Sequence, residues 1–479
     1  MVSAEGPPLQ RAGALIDVMD ALPRELHAHG HDVGVALPLY REIRENRAFK
    51  KEDTGVTVDV QVGNKTYVAK YLEGRSESGV QLFLVGCDEF FDRPGIYGER
   101  GQPYDDNAAR FIFFCKAAVE LARRLTPQTQ ILHVHDWTAA LVPVFVQAQS
   151  LPFKTVLTIH HVAEQGNFWG LDFRLTNLPQ RFFTLYGVEF FGRLNFLKGG
   201  ILYADKITTV SEHYLREILT SRGGHGLDGV LRENAHRLTA ILHGADYARW
   251  NPATDRLLPA HYDTRNLRGK QTCRNALLEE MKLASSPRGP VFGMVTRVVE
   301  EKGFEILVPL LDRLLWDDVR LLILGEGDPA YETALAVTAR KFRRKFAYQR
   351  DYDEKLAHLI EAGMDISLIP SRFEPSGLSA MYNLKYGALP VARATGGIQQ
   401  IIEDYDPIAD GGYGFLCYDY STEAFWDAIK RARGLFDHQK LWTKLMKRAI
   451  ARNFSWEISA RRYEELYREL VREEGEVVA

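Results

Sequence analysis

Over most of its 479 residues the chain alternates short apolar runs with longer stretches of helical periodicity, and this alternation narrows the possible folds more than any other feature. The runs include Val33–Leu37, Ile131–His135, Thr155–Ile159, Ile207–Val210, Val291–Thr296, Leu321–Leu324 and Ile366–Ile369. Between them apolar residues recur every three or four positions, as at Leu15, Val18, Met19, Leu22 and Leu26, the spacing of one buried helix face. Strands and helices in regular succession imply α/β domains with parallel sheets covered on both faces. Such sheets bind ligands at the carboxyl ends of their strands, so chemistry is expected just after each run.

The run Leu238–Leu242 leads into His243-Gly244-Ala245-Asp246 and then Trp250-Asn251-Pro252-Ala253-Thr254. Gly, Asn and Pro at that density read as a hinge. A division there predicts one domain over residues 1–245 and a second over 246–453, each large enough for a doubly wound sheet. From about Trp456 to Glu474 the chain is charged and amphipathic, which predicts a terminal helix within 454–479. The opening Met1-Val2-Ser3-Ala4-Glu5 resembles the tail of a first strand. A central strand usually has about five residues, so either the start lies further upstream or this strand is truncated.

Lys and Arg number 60 and Asp and Glu 63. That balance argues against a nucleic-acid binder but leaves room for a local basic cluster that holds an anion. No apolar run approaches the length of about 18 residues that a membrane span needs, and no signal peptide is visible; a cytoplasmic protein is expected. Cys87, Cys115, Cys273 and Cys417 are far apart and fit no metal spacing, the pattern of reduced thiols.

Three strand ends carry the chemistry of the second half. After Val291–Thr296 come Arg297 and, five residues on, Lys302. A guanidinium fork and a point-charge ammonium beside a helix start could neutralise a diphosphate; taken alone, the pair also fits a solvated loop. After Leu321–Leu324 comes Gly325-Glu326-Gly327, where glycine permits close backbone approach to a ligand or makes a plain turn. After Ile366–Ile369 comes Pro370-Ser371-Arg372-Phe373-Glu374-Pro375-Ser376-Gly377-Leu378, followed by Thr395-Gly396-Gly397. Here a carboxylate on a Pro-flanked turn can bind sugar hydroxyls, the Gly377–Leu378 helix start can meet phosphate oxygens, and the Thr-Gly-Gly turn offers further bare amides. In the first half, Thr158-Ile159-His160-His161 and His135-Asp136-Trp137 end two strands of one sheet. A lone histidine is usually structural, but two at strand ends of one sheet weigh equally toward function.

Together these motifs resemble the bacterial glycogen synthases and plant starch synthases. The resemblance includes Tyr97 within Phe91–Gly98, His135-Asp136-Trp137, Asn195–Gly200, Tyr203–Lys206, Gly226–Leu231, Leu356–Gly363, the Glu374 turn and Phe454-Ser455-Trp456. It implies the GT-B architecture: two Rossmann-like, doubly wound domains facing across a cleft. The 1–245 domain would be on the acceptor side, the 246–453 domain would bind the nucleotide sugar, and 454–479 would pack back on the first. It also implies a hexosyltransferase that moves glucose from ADP-glucose to the non-reducing end of an α-1,4-glucan such as glycogen, with retention of configuration. By this resemblance Arg297 and Lys302 grip the donor diphosphate, Glu374 holds the glucose hydroxyls, and His160 and Asp136 face the glucose from the first domain. Arg11, Gly13, Asp17, His243, Gly325, Gly377, Leu378, Thr395, Gly396 and Gly397 belong to the donor site and Glu5 lies near the glucan end. No metal, cofactor, nucleic acid or membrane is expected to take part.

The sequence departs from the family pattern mainly in its first half. The glycine loop Lys-Thr-Gly-Gly-Leu is Arg11-Ala12-Gly13-Ala14-Leu15 here. If Ala14 needs positive φ, it carries about 1–2 kcal/mol of strain. His161 and His243 stand where the family has Asn, and Thr138 where it has His. These changes motivate a second reading, a catalytically weakened paralogue that binds glucan or nucleotide sugar without efficient turnover. A third is a related transferase with another acceptor.

Overall fold

Residues 1–9, 14–99, 101–285 and 289–477 are described by the structure, a computed structural model. Arg11 and Gly13 lie outside the described residues. The chain divides into two compact units. One comprises Met1–Val210, Leu215–His243 and the chain from Trp456 onward; the other comprises Gly244–Ser455 and the short stretch Ser211–Tyr214. That stretch, which its position assigns to the first half, is tied into the second unit where Ser211 Oγ donates to the Pro375 carbonyl at 2.8 Å.

In the first unit, strands β1 (Gly34–Pro38), β2 (Lys51–Val62), β3 (Lys65–Arg75) and β4 (Gln81–Gly86) lie in the order β1-β4-β3-β2. Strands β5 (Ile131–His135), β6 (Lys154–Ile159), β7 (Lys206–Thr209) and β8 (Leu238–Ala240) lie in the order β8-β7-β6-β5. Val2 joins the two groups through parallel bridges to Ala36 of β1 and Val134 of β5. Its N–H donates to His133 O at 2.8 Å and its carbonyl accepts from His135 N–H at 3.0 Å. Beside this short ladder, between the starts of β1 and β5, is a cavity of about 780 Å³ lined in part by Val33, Phe83, Leu121, Ile131 and Tyr467.

The run pattern predicts parallel sheets, but the first sheet departs from this: β2 and β3 form an antiparallel hairpin and β3 pairs antiparallel to β4. Val58, Val60 and Val62 are buried while Thr57, Asp59 and Gln61 face solvent. A strand half-buried in this way belongs to a sheet with one wet face. Ala14 opens the helix Ala14–Ala28, so its backbone is helical and the strain expected of positive φ does not arise. Val18, Leu22 and Leu26 of that helix pack with Trp456, Tyr463, Leu466 and Leu470 of the terminal helix Trp456–Val477. Each fully buried side chain of this kind contributes about 1.5–3 kcal/mol.

In the second unit, β9 (Val291–Val295), β10 (Arg320–Leu324), β11 (Phe346–Gln349), β12 (Ile366–Ile369), β13 (Leu389–Arg393) and β14 (Phe415–Cys417) form one parallel sheet. Their order is β11-β10-β9-β12-β13-β14. The sequence of connections reverses between β9 and β12, which opens a crevice at their carboxyl ends. Gly293 of β9 lets a helix close in: a Cβ there would lie 2.5 Å from Met364 Sδ. The stretch after the predicted hinge is anchored by polar groups. Buried Asp255 accepts from Tyr386 OH at 2.5 Å and is bonded to His358 Nδ1 at 2.7 Å, and Trp250 stacks on His358 with centroids 3.6 Å apart.

Candidate active site

At the reversal point of the second sheet, the loops after β9 and β12 meet. Gly303 follows Lys302 at φ +79°, and a Cβ there would lie 2.0 Å from the Pro370 carbonyl oxygen. Only glycine allows the first loop to lie so close to the second. The approach lets Lys302 Nζ donate to Glu374 Oε2 at 2.7 Å, and Ser371 Oγ donates to the same oxygen at 3.0 Å. Glu374 is buried. A carboxylate in that position needs a cation and hydrogen bonds to offset its lost hydration, and Lys302 and Ser371 supply both.

The loop after β13 completes the turn. β12 and β13 are neighbours, which sets Thr395-Gly396-Gly397 directly on Glu374-Pro375. Gly396 has φ +45°, and a Cβ on it would lie 2.2 Å from the Glu374 carbonyl oxygen. Gly397 N–H donates to the carbonyls of Glu374 and Pro375, both at 3.0 Å. This corrects the expectation of bare amides: the Gly397 amide is already used, holding the carboxylate's own turn. Gly377 caps the helix Leu378–Lys385 at φ +71°, and the first N–H groups of a helix have no acceptor within it.

Arg297 does not join the Lys302–Glu374 contact. Its side chain is 71% exposed and faces Glu301 at 3.7 Å. The loop after β10 runs beside it. Val298 N–H donates to Glu326 O at 2.8 Å and Asp328 N–H to Val298 O at 2.7 Å. Gly325, at φ +149°, permits this, since a Cβ there would meet Thr296 O at 1.8 Å.

In the first unit, the carboxyl ends of β5 and β6 bring Asp136 and His160 together. Asp136, at φ 54°, accepts from His160 N–H through Oδ1 at 2.8 Å. Burial pushes its carboxyl up to about 8, against the bonds from the His160 and His161 amides. Glu5 accepts from Tyr97 OH at 2.6 Å, and the Tyr97 ring stands 6.1 Å from that of Trp137. His243 is buried, both its ring nitrogens lack partners among the described residues, and its ring lies 5.0 Å from that of His160. Burial lowers the His243 imidazole to about 3 and holds His160 well below the usual range. Asp17 lies in the first turn of the helix Ala14–Ala28.

Ser371 beneath Glu374 escapes the sequence reading, whereas His135, one of its two strand-end histidines, lies behind His160 at 3.0 Å. A hydroxyl three residues before a carboxylate on one turn is a usable signal for Ser371. His135 has only its strand-end position. Among the described residues no three His, Cys, Asp or Glu side chains gather as metal ligands, and no helix is long and apolar enough to cross a membrane.

A parallel sheet in this strand order, with a cation and a carboxylate paired at its reversal point, is a doubly wound α/β domain with a ligand crevice, and the family matches and solved structures place the chain among the GT-B glycosyltransferases. Residues 1–233 match the family model of the starch synthase catalytic domain, and residues 279–444 that of glycosyl transferases group 1. The chain belongs to the family of glycogen synthases and starch synthases. It is 39% identical over 474 residues to the glycogen synthase of Opitutus terrae, and 41% identical over 475 residues to that of Anaeromyxobacter dehalogenans strain 2CP-1. Each comparison covers 98% of both chains. Among solved structures it is similar to the catalytic domain of starch synthase IV from Arabidopsis thaliana bound to ADP and acarbose. That TM-score is 0.89 at 29% identity over 98% of each chain. The sucrose-phosphate synthase of Thermosynechococcus elongatus shares the fold, with a TM-score of 0.60 at 16% identity over 98% of this chain and 99% of that one. Similarity to glycogen synthases from end to end supports a working hexosyltransferase over a weakened paralogue.

Proposed function

We propose that the chain is a cytoplasmic glycogen synthase that transfers glucose from ADP-glucose to the non-reducing end of an α-1,4-glucan, with retention of configuration. The observation that carries the reading is the Lys302–Glu374 pair at the β9–β12 reversal point. Residues 246–453 form the nucleotide-sugar-binding domain, residues 1–245 the acceptor-side domain, and 454–479 its closing helix.

Lys302 and Arg297 bind the diphosphate, and negative charge on it grows as the glycosidic bond breaks. Groups aimed at charge that develops in the transition state are worth about 3–4 kcal/mol each. Glu374 holds the hexose hydroxyls, while Gly325, Gly377, Leu378, Thr395, Gly396 and Gly397 shape the donor pocket. His160 and Asp136 face the glucose, with Arg11, Gly13, Asp17 and His243 completing the donor side and Glu5 near the glucan end.

The test is transfer of labelled glucose onto glycogen from ADP-glucose and, separately, from UDP-glucose. Transfer from ADP-glucose is expected to dominate; no incorporation from any glucose nucleotide would defeat the reading. Glu374→Ala is expected to lose at least about 100-fold in turnover, because this carboxylate orients the sugar. Near-normal turnover in that variant would remove Glu374 from the site.

A further inference from the structure

Four histidines of the first unit form a run of adjacent rings. His133 and His135 have centroids 4.2 Å apart, His135 and His160 5.3 Å, and His160 and His243 5.0 Å. His133 is held on both nitrogens, by Tyr467 OH at 2.7 Å and Thr158 Oγ1 at 2.6 Å, and it braces the far face of His135. His135 is fully buried. Its Nδ1 lies 3.0 Å from His160 Nε2, while its own Nε2 is buried and has no hydrogen-bond partner among the described residues.

A neutral imidazole has one N–H and one lone pair, and burial keeps both of these rings neutral near pH 7. One proton therefore lies between His135 Nδ1 and His160 Nε2. If it belonged to His160, His135 would carry its own on Nε2, a buried N–H with no acceptor. Orphaned buried donors are rarer in proteins than undersatisfied acceptors. The other arrangement leaves only a lone pair unmatched on His135. In that arrangement His135 donates, His160 accepts at Nε2, and His160 carries its proton on Nδ1. Among the described residues no protein group bonds that Nδ1.

We infer that His135 is a positioning residue that fixes His160 as its Nδ1–H tautomer, so that His160 meets the sugar as a hydrogen-bond donor and not as a base. The placement of the sugar rests on the function proposed above; the tautomer does not. The backbone is fixed independently, through the His160 N–H bond to Asp136 at 2.8 Å. His135 thus sets the proton's place on the ring without touching substrate.

The experiment is nitrogen NMR on the full chain labelled with ¹⁵N-histidine, with His160 assigned by difference against His160→Gln. The expected signature is a protonated Nδ1 and an unprotonated Nε2. His135→Leu is expected to release the ring into a mixture of tautomers and to lower kcat about 10-fold, the net worth of one hydrogen bond, with the donor KM little changed. His135→Asn places an amide N–H near the former Nδ1 and is expected to restore both the signature and kcat. A protonated Nε2 on His160 in the parent chain would overturn the inference, as would an unchanged tautomer in His135→Leu. Should His135→Leu not fold, the parent spectrum and His135→Asn still decide. Because the spectrum needs no turnover, a chain with the expected tautomer and no transferase activity would defeat the proposed function and leave this inference standing.

Discussion

Lys302 Nζ lies 2.7 Å from Glu374 Oε2, and this link joins the loops after two strands, β9 and β12, that are neighbours in space and far apart in sequence. The ammonium both balances the buried carboxylate and waits at the crevice where a diphosphate is proposed to bind. The two roles separate by experiment. Lys302→Met leaves Glu374 without its cation, and breaking such a buried pair costs about 3–5 kcal/mol at full burial. With the lysine side chain 18% exposed, a smaller loss of about 1–3 kcal/mol is expected in urea unfolding. The fall in kcat/KM is expected to be at least about 100-fold, as for loss of one charge-stabilising donor. A stability loss with unchanged kcat/KM would leave Lys302 only its structural role.

Gly396 tests whether the turn's glycine serves the carboxylate. In Gly396→Ala the new methyl would stand 2.2 Å from the Glu374 carbonyl, at φ +45°. Strain and displacement together are expected to cost about 1–3 kcal/mol and to lower kcat at least about 10-fold by moving Glu374. Gly229→Ala is the control: it lies in the helix Asp228–Glu233 with nothing within 4 Å of its would-be Cβ, and a gain of about 0.5–1 kcal/mol is expected. Equal effects of the two substitutions on kcat would contradict the assignment.

Asp136 makes stability depend on pH. Its carboxyl is pushed from 3.8 up to about 8 in the folded chain. Below 3.8 both states hold the proton and the group contributes nothing. Between 3.8 and 8 the unfolded chain releases it while the folded chain retains it, so stability falls as pH rises; above 8 the loss is complete. Asp136→Asn abolishes this loss. Its advantage over the parent is expected to grow from pH 4 to pH 8, by up to about 5 kcal/mol, as read by urea unfolding at several pH values. An advantage that stays constant with pH would contradict the elevated carboxyl.

Tyr386→Phe removes a donor from buried Asp255 and leaves the His358 bond in place. A buried acceptor deprived of one partner costs about 1–3 kcal/mol. Because Asp255 anchors the stretch after the predicted hinge, the loss is expected in thermal unfolding with little change in the KM for the sugar nucleotide. A large change in that KM with unchanged stability would place the network in the donor site instead.

Much of this was legible beforehand, and the reasons differ by element. The strands β5, β9 and β12 show as short apolar runs because successive residues, and so both their faces, are buried. The hairpin of β2 and β3 was also legible, in Val56–Val62 alternating with polar residues before Gly63-Asn64, but an alternating strand lacks the continuous apolar run that marks its neighbours. Whether Ala14 needs positive φ stays open in the sequence, because a glycine-loop pattern does not reveal where a helix begins; in the fold Ala14 opens a helix. Arg297 and Lys302, five residues apart, read as one cationic pair, yet in the folded chain one faces Glu301 in solvent and the other Glu374 in a buried turn.

The sequence by itself determined which segments are strands and helices and which strand ends carry charge, glycine or histidine. These follow from hydrophobic periodicity and residue chemistry, which act over a few neighbouring positions. Tertiary structure alone decided that Glu374 rests on the Gly396–Gly397 turn and against Lys302, and that His135 lies behind His160. Strand order and ring packing set those contacts, and both arise only when distant segments compete for the same buried space.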